Sequence, residues 1–135
     1  MKFRFGIIAA IFGLGVLVPG VLLAHHGSAI YDESKAVTMT GTVTEWLWSN
    51  PHCLLEFDAQ DDKGNTTHWT AEVSNPPDMT ARGWSRKMFK AGDEVTVTMI
   101  VAKNGEPIGR IARIVVGGKT YQGMGRVPGE GANKQ

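Results

Sequence analysis

From Val37 onward, apolar and polar residues alternate with a period of two, which commits most of this chain to β-strands. Val37, Met39, Gly41 and Val43 form one row, with Thr38, Thr40, Thr42 and Thr44 between them. After Glu45 the apolar parity switches to Trp46 and Trp48, the mark of a bulge or strong coiling in a long strand. Asn50-Pro51 ends the run.

The next two strands are expected over residues 52–59 and 66–73. A three-residue hairpin loop, Asp62-Lys63-Gly64 with Gly64 left-handed, sets their register. Phe57 then faces Trp69, Leu55 faces Ala71, and Cys53 faces Val73. The opposite face carries His52, Glu56, Asp58, His68, Thr70 and Glu72, with Leu54 as the exception.

Ser74-Asn75-Pro76-Pro77-Asp78 leads into a helix expected over about residues 77–82, because proline suits a first helical turn. Trp84 and Met88-Phe89 are expected to plug a barrel end. A fourth strand carries Val95, Val97, Met99 and Val101. Asn104-Gly105 signals a hairpin, and a fifth strand spans about residues 108–116. The pattern fades after Gly117-Gly118, so residues 117–135 read as a flexible tail. Strands in the order β-β-β-α-β-β predict an all-β fold, a five-stranded OB-like barrel with one short helix. Val43, Leu55, Phe57, Trp69, Val97 and Ile111 are expected inside. A five-stranded open sheet of the same order is the alternative.

Ahead of this domain, residues 1–24 have the three zones of a signal peptide. Lys2 and Arg4 precede an apolar run that Pro19-Gly20 interrupts, and Ala24 stands at the expected cut. An uncleaved anchor over residues 5–24 is the rival reading, since 20 residues can span a bilayer. The interruption and the lack of a basic stop favour cleavage. The expected address is periplasmic or secreted, with no membrane association after cleavage. Residues 25–36 form an N-terminal segment, and residues 37–116 the OB-like β domain.

Cleavage removes Lys2 and Arg4 from 14 basic residues, leaving 12 against 13 acidic ones and a formal charge of −1. That balance provides no basic footprint, so no nucleic-acid partner is expected. One cysteine cannot make an internal disulfide, so the core alone must hold the fold.

Ala24-His25-His26-Gly27-Ser28, Gly41-Thr42-Val43, Trp48-Ser49-Asn50-Pro51-His52, Arg82-Gly83-Trp84 and Lys90-Ala91-Gly92-Asp93-Glu94-Val95 together resemble exported bacterial proteins known as a domain of unknown function. The likeness covers roughly residues 25–116. It implies an exported single domain and carries no chemistry.

The chemistry-bearing residues are His25, His26 and His52. A cut after Ala24 would put an α-amino group and the imidazole of His25 on one residue, with His26 beside it. An N-terminal amine with two imidazoles is a copper site of the histidine-brace kind, and imidazole donors with the divalent affinity order favour Cu(II). The amine must lose its proton, which its reference pKa of about 7.7–8.0 allows near neutral pH. Glu56 and Glu72 share the face of His52 and are candidates for a further ligand or an outer support. The bland reading is a polar spacer after the signal, with His52 capping the Asn-Pro turn. A cut after Leu23 would instead place a histidine third in the chain, which suits square-planar Cu(II).

Cys53 is expected to be a buried thiol, because alternation sends it to the face opposite His52. Phosphate loops, nucleophile elbows and zinc-protease helices are absent. The chain is therefore read as a binding protein rather than an enzyme. Its expected partner is a metal ion, copper foremost, or a periplasmic protein. The competing class is an OB-fold ligand- or partner-binding module without metal, using Trp46, Trp48 and the turn to Pro51. A small copper oxidase or oxygenase is the third and weakest reading.

Overall fold

A computed structural model describes residues 30–130, so the expected signal peptide, His25 and His26 lie outside the described residues. Strand β1 (Val37–Leu47) is long because it serves two neighbours. Residues 37–42 pair with β4 (Glu94–Val101), and residues 41–47 pair with β2 (Leu54–Gln60). The register shifts where Val43 opposes Phe57 and Glu45 opposes Glu56, leaving Thr44 as the extra residue of a bulge. Beyond it Trp46 opposes the fully buried Leu55. The bulge thus turns the new apolar parity back toward the core, as the switch in the sequence predicts.

The hairpin from β2 to β3 (Thr66–Glu72) has the expected register, with Phe57 opposite Trp69 and Leu55 opposite Ala71. Gly64 has φ of 82°, and the Asp61 carboxylate accepts from the backbone amides of Lys63 and Asn65 at 2.9 and 2.8 Å. Cys53 extends the pairing by hydrogen bonds with Val73 and Ser74, and both Cys53 and Val73 are fully buried.

Helix α1 (Pro76–Ala81) starts one residue before the expected boundary, because Asn75 caps it and its side chain accepts from the Asp78 amide at 3.0 Å. The helix inserts Met79 into the core and the segment after it inserts Trp84 and Phe89, with Met88 partly buried beside them.

Strand β5 (Ile108–Val116) runs antiparallel to β4 and parallel to β3. The second contact pairs Thr70 with Ile108, Ala71 with Gly109 and Glu72 with Arg110. It closes a five-stranded mixed barrel, the OB-like arrangement expected from the element order. The open-sheet alternative is thereby set aside.

Strand β2 begins at Leu54, two residues later than expected, and two further details differ from expectation. Regular structure continues past Gly117-Gly118 as β6 (Lys119–Gln122), which lies outside the barrel and pairs with residues 113–116 of β5. Its four residues are too short for alternation to reveal. Val43, Leu55, Phe57, Val97 and Ile111 are buried as expected, whereas Trp69 is only partly buried. Barrel closure begins at Thr70, so Trp69 stands just outside the seam with part of its ring in water. Each fully buried Leu or Phe contributes about 1.5–3 kcal/mol of transfer free energy, and this core holds the chain without cross-links.

Candidate functional site

His52 follows Pro51 at the entry to β2, across a cis Asn50–Pro51 peptide. Its neighbour Cys53 is drawn inward by the apolar face, so His52 points outward. Leu54 opposes Glu72, which makes His52 a diagonal neighbour of that carboxylate. His52 Nδ1 lies 3.0 Å from Glu72 Oε2, and the His52 side chain keeps 42% of its surface exposed.

Glu72 has further partners that the sequence did not indicate. Arg110 donates to its Oε1 from Nε and Nη2, each at 3.1 Å. This fork exists because the parallel seam sets Arg110 opposite Glu72. The Tyr31 phenol also hydrogen-bonds to Glu72, and the Arg110 guanidinium stacks 4.4 Å over the Tyr31 ring. Burial pushes the Tyr31 phenol well above its ordinary value, helped by the charge and hydrogen bond of Glu72, so it stays a donor. The Tyr31 backbone is bridged to Ala102, just before the Asn104-Gly105 turn. The network therefore joins the β1–β2 connection to the β4–β5 hairpin. OB barrels commonly present ligand sites between those two connections, an analogy of fold alone.

Both Glu72 oxygens are engaged, so this carboxylate supports His52 and is not left over as a ligand. Glu56, the other carboxylate on the expected face, is occupied elsewhere. It lies 2.8 Å from His68 Nε2, while Asp58 lies 2.7 Å from His68 Nδ1. Hydrogen bonds from Glu56 first, then Asp58, raise the His68 pKa. Both ring nitrogens are consumed, which separates His68 from any metal chemistry. Among the described residues, no three His, Cys, Asp or Glu side chains converge on a point where a metal would sit. His52 is thus the one expected ligand that the described residues include, and His25 and His26 fall outside them.

A family model matches residues 16–111, well over half of the 135-residue chain. The chain belongs to DUF6152, a family of unknown function. No curated protein matches it. In this DUF6152 chain the matched stretch runs through His52, Glu72 and Arg110 and ends at Ile111, inside β5.

The other candidates of this DUF6152 domain fall into structural roles. Cys53 is a free thiol without exposed surface, and burial pushes its pKa up. Trp46 packs against Trp84 and Phe89 with ring centroids 5.9 and 5.1 Å away, and its Nε1 donates to the Ser85 carbonyl. Trp48 lies 5.7 Å from Trp46, also partly buried. A groove of about 590 Å³ shares Tyr31 and Arg110 with the network and is also lined by Glu33, Met124, Arg126 and Glu130.

Proposed function

We propose that this protein is exported to the periplasm and binds copper through its mature N-terminal amine, His25 and His52, with His26 auxiliary. One observation carries the reading: His52 Nδ1 is held by Glu72 at 3.0 Å while the ring remains open to solvent. A histidine that donates one ring N–H to a carboxylate is the usual form of a metal ligand with its outer support. Chain length supports the partnership. Five residue steps separate His26 from Tyr31, and six separate His25 from it. An extended chain covers about 3.3–3.6 Å per residue, so roughly 20 Å of reach is available. Tyr31 itself touches Glu72, which touches His52. The role that fits such a site is holding or passing on the metal.

Intact mass of the exported protein tests the start at His25. Protein beginning there is expected to bind one Cu(II) more tightly than the same chain carrying an extra N-terminal Met, which keeps every side chain but moves the amine. His52→Ala should weaken the site, by at least the roughly 10–100-fold seen when only an outer-sphere partner is lost. His68→Ala should leave it unchanged. Equal affinity of the native and extended proteins would eliminate the N-terminal brace. If His52→Ala then changes nothing, the metal reading is lost. The reading then passes to a partner-binding barrel, with the exposed parts of the partly buried Trp46 and Trp48 beside the turn to Pro51 as the candidate surface.

A further inference from the structure

The metal reading rests on the contact of His52 Nδ1 with Glu72 and leaves open what fixes the proton on that nitrogen before metal binds. A neutral imidazole has one protonated and one unprotonated nitrogen, and only the latter can ligate. In solution, histidine favours the proton on Nε2, which would leave Nδ1 as the donor atom. At His52 that preference is opposed, because Nδ1 faces the Glu72 carboxylate at 3.0 Å. Glu72 is also held from the opposite side by two Arg110 nitrogens at 3.1 Å, and by the Tyr31 phenol. A carboxylate that receives a guanidinium fork can only accept from the imidazole, so Nδ1 must carry the proton. The Nε2 lone pair is then the one presented outward, and Nε2 makes no hydrogen bond among the described residues.

We propose that Glu72, braced by Arg110 and Tyr31, is the positioning residue that presets His52 as an Nε2 ligand before any metal arrives. This deepens the metal reading and rests on it, but the tautomer can be measured without metal. The arrangement also explains a choice of residue. Glu72 lies inside the parallel seam, where the barrel closure fixes its backbone, and Arg110 is its register partner across that seam. The orientation of an otherwise half-exposed histidine is thereby inherited from the pairing that closes the barrel.

The test begins with long-range 1H–15N NMR of the imidazole nitrogens in metal-free protein, at a pH where the ring is neutral. His52 is expected with Nδ1 protonated and Nε2 unprotonated. In Glu72→Leu the population should move toward the solution preference, with the proton on Nε2. Arg110→Gln, which retains Glu72 but removes its fork, should show a smaller movement in the same direction. Wild-type His52 protonated on Nε2 would overturn the proposal, and this arm needs no variant to fold.

The second arm is Cu(II) affinity of the full mature chain. Glu72→Leu is expected to lose about 10–100-fold, a loss confined to protein that retains His52. In a His52→Ala background, Glu72→Leu should have no further effect. If His52→Ala weakens copper binding but Glu72→Leu does not, the positioning role is overturned while the metal reading survives. If His52→Ala has no effect, the metal reading fails and takes the proposal with it, even where the tautomer is as expected.

Discussion

Gly41 shows how one residue can be dictated by backbone approach rather than by turn geometry. A Cβ built there would lie 2.5 Å from the Asp58 carbonyl oxygen and 2.7 Å from Phe57 Cδ2. Gly41 pairs with both Ala59 and Val95, at the point where β1 passes from one neighbour to the other. Gly41→Ala should therefore cost about 1–3 kcal/mol by overpacking, read as a lower urea midpoint with an unchanged slope. Cys53 makes the complementary point. Its alternation with His52 was enough to place it inside, and it has no exposed surface. Native protein should react with a bulky thiol reagent only at its unfolding or local-opening rate, and fast stoichiometric labelling would contradict that burial. Tyr31 and Arg110 had no comparable sequence signal. Their place in the His52 network depends on the bridge to Ala102 and on the parallel register, neither of which is local.

At the scale of the element, the β2–β3 hairpin contains most of what sequence reasoning could reach. Its loop length, left-handed Gly64 and alternating faces specify one register, and the observed pairs follow it. The His68–Asp58 pair was readable from that register, whereas the diagonal to Glu56 required the twist of the strands. The two carboxylates raise the His68 pKa, so the protonated ring stabilises the folded state. That contribution is fully present below the unfolded value of about 6.5 and is lost as pH rises through the folded value. Because the group is solvent-exposed, the effect is small. The stability gap between wild type and His68→Gln, followed by thermal unfolding, should be larger at pH 5.5 than at pH 9. A gap that is equal at both pH values would count against the carboxylate clamp.

On the scale of the whole molecule, β5 is the strand on which closure depends. Its first residues pair with β3, while residues 113–116 pair with β6. The sixth strand thus occupies the length of edge that β3 leaves open. Trp84 ties it to the segment after α1, donating from Nε1 to the Gln122 carbonyl at 2.9 Å, and Arg82 donates to the Gly123 carbonyl at 2.8 Å. Trp84→Phe keeps most of the apolar ring but leaves that carbonyl without this donor. It should destabilise the protein by about 1–3 kcal/mol, with hydrogen-exchange protection falling first in residues 119–122. Uniform loss of protection across the barrel would show instead that Trp84 acts only by packing.

The order of the five barrel strands, the break in parity within the first, the hairpin register and the burial of Cys53 were all determined by the sequence alone. Each rests on contacts between residues near in sequence, where a period of two and a single turn leave little freedom. The parallel β3–β5 seam, the pairing of β6 and the partial exposure of Trp69 were decided only by the tertiary structure. They depend on where two distant strands meet, and alternation says which face is buried but not which edge finds which partner. The same limit divides the candidate site. His52 and Glu72 could be placed on one face from the hairpin, but the Arg110 fork and the Tyr31 phenol that hold Glu72 exist only because the barrel closes.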